Sequence, residues 1–272
     1  MSLRPYTFPS TAAPERNVSE QLESLSPSER EAFKLFRAKY DASPSYSLLP
    51  LSDYFALCFL RASPGKDKFN VQAALKVAQS YASWNAKNNA EALRLEDVKV
   101  EFDRSWLYHV GTRDVDGNGI LYIQYRNFIP SEMNYRGLME SSAYMLRCML
   151  ESEVNSTQGI TVLCDSGGFS VTRNFNPVWL PYWTKLMVGR FPLRIRRIVL
   201  VNCPLIFKAP WALVRPALGE LKHKVVMTTS GSPKFKAIFP DPESYPAHLG
   251  GKLDLNRCQA VFYEARRSAE KQ

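Results

Sequence analysis

Three observations on this 272-residue sequence predict an α/β fold preceded by a helical region. From Ser26 to about residue 90, apolar residues recur at helical spacing and no strand-like run interrupts them. From about Leu107 the period shortens and the order becomes β-β-α-β-α-β-α-β, which argues a sheet of four or more strands with helices on its faces. Finally, Phe191 to Ser230 reads strand, apolar connector, strand, as a βαβ crossover does.

Taken in order, residues 1–25 carry Pro5, Pro9 and Pro14 with no periodicity, and are expected to be a disordered tail. Ser26-Pro27-Ser28-Glu29 is a helix start, with Ser26 as N-cap, Pro27 at the first position and Glu29 closing a capping box. Phe33, Phe36 and Tyr40 then share a face. Ser52 can cap a second helix through Phe55, Phe59 and Leu60, which Ser63-Pro64-Gly65 ends. Asn70 can cap a third, with Val71, Ala74, Leu75, Ala78 and Tyr81 on one side. Leu107–Gly111 and Ile120–Phe128 are β-rich, and Asp116-Gly117-Asn118-Gly119 between them is hairpin chemistry. Ser131–Glu153 is a long helical pattern, Gly159–Cys164 a buried strand, and Asn176-Pro177 opens another helix. Ile195–Asn202 and Val225–Met227 are the last strands. Between them, Phe207–Leu218 holds Trp211, Leu213, Val214 and Leu218 beside Lys208 and Arg215. Pro210 suits a first helical turn, so a helix is expected from near Ala209 to near Leu218, before Gly219.

Apolar residues make up 45% of the chain, enough for a large core, yet no run approaches the ~20 needed for a membrane span. The N-terminus lacks an apolar secretory segment. Cys58, Cys148, Cys164, Cys203 and Cys258 are odd in number and widely spaced, which suits reduced thiols in a cytoplasmic protein; no pair has metal-ligand spacing. The net charge is +9, and it is concentrated. Lys185 to Lys236 contains eleven basic residues and one acid, Glu220, so this stretch carries +10 and the remainder sums to −1. An anionic partner is implied, either a membrane surface or nucleic acid.

Two motifs invite chemistry and do not sustain it. Asp114-Val115-Asp116-Gly117-Asn118-Gly119 matches the start of a calcium-binding EF-hand loop, but Tyr125 stands where the closing bidentate Glu belongs, and the flanks read as strands. Cys164-Asp165-Ser166-Gly167-Gly168 contains the DSGG of trypsin-like proteases, yet His109, His223 and His248 all lack the matching context. Cys164 also replaces the first Gly of a nucleophile elbow. No phosphate-cradling glycine loop is present. No catalytic set, metal site or cofactor is therefore expected, and the protein is not expected to be an enzyme.

Several stretches, in order and spacing over roughly 50–252, resemble the CRAL-TRIO lipid-binding and lipid-transfer family, whose prototype is the fungal phosphatidylinositol/phosphatidylcholine transfer protein. Cys58-Phe59-Leu60-Arg61-Ala62 followed by Phe69-Asn70-Val71-Gln72-Ala73-Ala74-Leu75 looks like the family's "FLRAR-KF-V--A". Leu163–Gly168 is similar to the "DL-G" strand end. Phe191-Pro192 through Arg197, then Val201-Asn202-Cys203-Pro204 and Phe207, resembles "YPER" followed by "NAP--F", and Leu249-Gly250-Gly251 the closing "LP---GG".

The resemblance implies a helical tripod at 26–95, a lipid-binding α/β domain with a mixed sheet and apolar cavity at 96–255, and a C-terminal extension at 256–272. Phe207 to Leu218 becomes a gate helix, with Phe207, Trp211, Val214 and Leu218 at the cavity rim and Lys208 and Arg215 toward the membrane. Arg61 and Lys224 match positions that contact a lipid's phosphate region, and Ser170 and Thr172 match hydroxyls that can meet a head group. Leu193 occupies the position of the family's acidic residue, which implies a weaker preference for phosphatidylinositol than in the prototype. The expected protein is a monomeric cytoplasmic lipid carrier or sensor, peripherally associated with anionic membranes and holding one phospholipid or similar hydrophobic ligand. The alternative is a nucleic-acid-binding module on the 185–236 stretch, which needs Trp211 and Phe207 exposed between the basic residues.

Overall fold

The computed structural model describes residues 18–63 and 69–271. The expected tail at 1–17 and the helix stop at Pro64-Gly65 lie outside them. The rest of the expected tail is not a tail. Val18–Glu23 forms helix α1, with Val18 and Leu25 buried, because three apolar residues and Gln21 give this segment a face to pack.

Pro27–Asp41 (α2) starts on the expected capping box: Ser26 accepts from the Glu29 amide, and the Glu29 carboxylate accepts from the Ser26 amide at 3.0 Å. Pro44–Leu48 (α3) follows. Asp53–Arg61 (α4) and Val71–Asn88 (α5) are capped by Ser52 and Asn70, each accepting from the amide three residues on. Phe55, Phe59 and Tyr81 interlock α4 and α5 with ring centroids 5.1–6.0 Å apart. Leu95–Asp103 (α6) leads into the sheet.

The sheet has five strands in the spatial order of the chain: Leu107–Arg113 (β1), Gly119–Gln124 (β2), Ile160–Asp165 (β3), Ile195–Val201 (β4) and Val225–Thr228 (β5). The β1–β2 pair is antiparallel and the other three are parallel, so the sheet is mixed. Turn chemistry explains the first pair. The Asp114 carboxylate, the leading residue of the calcium-like stretch, accepts from the amides of Asp116 and Asn118, and its other oxygen meets Thr161 Oγ1 and, at 3.1 Å, Arg197 Nη1. It is a hairpin anchor with its oxygens already occupied. Beyond Gln124 the expected second strand gives way to a 3-10 turn, Tyr125–Asn127.

Alternation along the strands sorts two cores. Leu107, Leu121, Ile123, Val162, Cys164 and Leu200 join the larger one, with Tyr135–Leu150 (α7) and the N-terminal helices; Glu153–Thr157 (α8) follows α7. Tyr108, Tyr122, Leu163, Val199 and Val201 face the smaller one, closed by Phe235 and Phe239 at Pro233–Ile238 (α12) and by Tyr245 and Leu249. Val171–Asn174 (α9) and Leu180–Gly189 (α10) bridge β3 to β4, and Lys208–Ala217 (α11) bridges β4 to β5. The C-terminal stretch set apart as an extension is helix Leu255–Glu270 (α13), built into the body. Phe262 is buried, and the buried Arg266 donates to both Glu151 oxygens at 2.6 Å and to Tyr144.

Candidate functional site

A cavity lies between the larger-core face of the sheet and α11. The sheet supplies Ile123, Val162, Cys164, Ile198 and Leu200; α7 supplies Leu138; the loop after β3 supplies Phe169 and Phe175. Among the described residues, no charged side chain belongs to its wall. Burial pushes the Cys164 thiol up to about 12 and the Tyr125 hydroxyl well above its ordinary range, so both wall groups stay neutral. The free volume is about 130 Å³. That compares with an engineered cavity of ~150 Å³ that admits benzene.

The outer wall is α11. Phe207, Pro210, Trp211, Val214 and Leu218 recur at helical spacing and face the cavity. Lys208, Ala209, Ala212, Leu213 and Arg215 face outward, with Leu205 and Ile206 just before the helix 83% and 58% exposed. The helix starts one residue before the expected Ala209 and ends at Ala217. Its neighbours have left-handed backbone: Asn202 at φ 58° and Gly219 at φ 53°. Pro216 removes the amide that would bond the carbonyl four residues back. Among the described residues, no hydrogen bond ties 204–221 to the rest of the protein, and apolar contact alone holds this segment.

The expected site residues divide. Phe207, Trp211, Val214 and Leu218 are brought together in one wall; Phe207 and Trp211 therefore do not form the exposed platform that the nucleic-acid alternative requires. Arg61 is not in that wall. Its guanidinium donates to Gln21 Oε1 at 2.8 Å and Ser156 Oγ at 3.1 Å, fastening α1 and α8 to α4. Lys224 is not in it either. Its Nζ donates to the Ile195 carbonyl at 2.9 Å, and burial, then Arg196 and Arg194, hold its pKa below the ordinary lysine range. Among the described residues, Arg61 and Lys224 share no hydrogen-bond partner. Ser170 and Thr172 share a 3.0 Å hydrogen bond at the start of α9, next to the wall residues Phe169 and Asn174 but outside the wall. Leu193, at the family's acidic position, is a core residue.

Sequence reasoning missed two groups. His248, dismissed as a catalytic base, hydrogen-bonds through Nε2 to Asp165 Oδ2 at 2.9 Å, and Tyr122 OH reaches the same oxygen at 3.3 Å. Asp165 Oδ1 accepts from the Gly167 amide. Among the described residues, Ser166 makes no hydrogen bond to this group; its hydroxyl lies against Cys203. His248 directly precedes Leu249-Gly250-Gly251, the stretch compared with "LP---GG", but no spacing in the chain links it to Asp165. The second group is Trp106 and Thr184, two polar wall residues that no motif marks.

The architecture is a helical N-terminal part, a mixed sheet and an apolar-walled cavity under a helix held by apolar contact. The chain belongs to the CRAL/TRIO domain family, which matches residues 103–251. It is 30% identical over 177 residues to human "Alpha-tocopherol transfer protein-like", covering 62% of this chain and 50% of that protein. It is 24% identical over 236 residues to human "Tyrosine-protein phosphatase non-receptor type 9", covering 85% of this chain and 39% of the other. The chain thus spans about half or less of the length of these curated relatives. The solved structure of Sfh5 superposes over the whole of both chains with a TM-score of 0.53 at 14% identity, a likeness of fold.

Proposed function

We propose that this protein binds and carries, or senses, one lipid or similar hydrophobic molecule, without catalysis. The observation that carries the reading is the uncharged cavity beneath a helix held by apolar contact alone. Each buried CH₂ is worth ~0.8 kcal/mol, so a chain of about sixteen carbons gains on the order of 12 kcal/mol on leaving water. The name of the tocopherol-transfer-like relative supports the same class of ligand. A space of about 130 Å³ is too small for such a molecule, so α11 swings outward to admit it. The exposed Leu205, Ile206 and Leu213, flanked by Lys208 and Arg215, suit a surface that meets an anionic bilayer while α11 is open. Among the described residues no helix is long and apolar enough to cross a membrane, so contact would be peripheral. Lys224, close to Arg194 and Arg196 and with no acid among the groups shifting its pKa, is the cation we assign to an anionic head group of the bilayer surface rather than of the cavity's ligand.

Native mass spectrometry and lipid extraction of the purified chain test the reading. One co-purifying hydrophobic molecule per chain is expected. A chain that arrives empty and takes up no lipid from vesicles would refute it.

A further inference from the structure

Trp106 and Thr184 are 2% and 5% exposed, and both belong to the cavity wall. Among the described residues, neither Trp106 Nε1 nor Thr184 Oγ1 has a hydrogen-bond partner. Of the other polar wall residues, Trp179 and Trp211 are only partly buried, and the remaining three are engaged. Asn174 accepts from the Ser170 amide and donates to the Phe128 carbonyl, Asn176 accepts from the Val178 amide, and Tyr125 OH meets Cys164. A buried polar group without a partner costs stability and calls for an explanation. An indole N–H can only donate, so whatever satisfies it must present an acceptor. A hydroxyl such as that of Thr184 can donate or accept. A bare hydrocarbon would leave both groups unpaired. A charged head group would enter a wall with no counter-ion.

Resting on the cavity reading above, we propose that the ligand is a neutral long-chain lipid with a hydroxyl or carbonyl oxygen buried in the cavity, where it accepts from Trp106 Nε1–H and pairs with Thr184 Oγ1. The phosphate of a glycerophospholipid has no place inside, although an ester carbonyl does.

The test offers the full chain isotope-labelled 1-hexadecanol, hexadecane and hexadecanoate from neutral phosphatidylcholine vesicles, and counts bound molecules by native mass spectrometry. Partition out of the vesicle is common to every protein variant. The alcohol-to-alkane ratio of wild type divided by that of a variant therefore isolates the side chain. Trp106→Phe keeps an aromatic ring beside Phe128, whose centroid lies 5.2 Å from that of Trp106, and removes the donor together with part of the indole; the alkane in the ratio controls for the space so opened. The substitution is expected to lower the ratio about tenfold, the size of one hydrogen bond, and Thr184→Val to lower it in the same direction. Should Trp106→Phe fail to fold, Thr184→Val carries the test. Unchanged ratios, or uptake of hexadecanoate in preference to the alcohol, would overturn this inference and leave the cavity reading standing. Uptake of none of the three would overturn both.

Discussion

At the scale of single residues, Asp165 decides how the end of β3 is held. Its carboxylate is 3% exposed and accepts from Tyr122 and the Gly167 amide, with His248 at 2.9 Å. These partners lie in β2, in the turn after β3 and in the loop before α13, so one side chain joins three separate stretches. Asp165→Ala takes the acceptor from the Gly167 amide and leaves Tyr122 OH with only His248 Nε2, 2.9 Å away. Because His248 is partly exposed it can turn to water, which keeps the cost to about 2–3 kcal/mol. A drop of that size in urea unfolding, against a small one for Asp165→Asn, is expected. His109 gives a second residue-scale expectation. It is buried beside Phe262, with ring centroids 6.1 Å apart, and burial lowers its pKa from 6.5 to about 4. The unfolded chain therefore takes up the proton at higher pH than the folded one. Stability from the neutral imidazole is fully present above ~6.5 and is lost as the pH falls toward about 4. Between pH 7.5 and pH 5 this removes about 2 kcal/mol. A His109→Phe variant that retained the full acid sensitivity would assign it to other groups.

At the scale of elements, α11 differs from the strands it connects. β4 is paired on both sides by parallel ladders, whereas α11 has only its apolar face. Hydrogen exchange should accordingly be faster across 207–218 than across 195–201. Gly219 lies just beyond the last turn at φ 53°, and a Cβ added there would meet nothing within 4 Å. Gly219→Ala therefore acts through the backbone alone, at ~1–2 kcal/mol for the left-handed conformation. Its expected effect is faster exchange in 208–217 with an almost unchanged exchange rate in β4; equal acceleration in both would mean that α11 opens only with the whole domain. Much of this element was legible in the chain, because proline, glycine and apolar spacing are local signals. The caps at Ser26, Ser52 and Asn70 were legible for the same reason. What escaped the sequence is what folding assembles from afar. Tyr122 and His248 are 126 positions apart, Arg266 and Glu151 are 115 apart, and no periodicity links either pair. Arg61 shows the converse: a motif position marked for a ligand is used here as a fastener between helices.

At the scale of the whole molecule, the charge and the exposed apolar residues are placed together. The 185–236 stretch holds all of the excess positive charge and also contains α11. Leu205, Ile206 and Leu213 expose apolar surface there, and Lys208 and Arg215 project from the same helix segment. A neutral bilayer offers this surface only the hydrophobic term. An anionic bilayer adds ~1 kcal/mol for each Lys or Arg brought near it. Vesicle association should therefore rise with phosphatidylserine content and fall as salt is added, since exposed charges are screened over ~8 Å at physiological ionic strength. Lys208→Glu with Arg215→Glu should weaken association by tenfold or more, because the change both removes attraction and adds repulsion; Leu205→Ser with Ile206→Ser should weaken binding to neutral and anionic vesicles alike. Trp211 reports what happens to the cavity during the encounter. It is half-buried with its ring in the wall, so α11 opening onto lipid carries it into hydrocarbon, and its emission should shift to the blue when vesicles are added. Equal binding to neutral and anionic vesicles, with no change in Trp211 emission in a variant retaining it as the only tryptophan, would show that the basic stretch serves another partner and that α11 stays closed at a membrane.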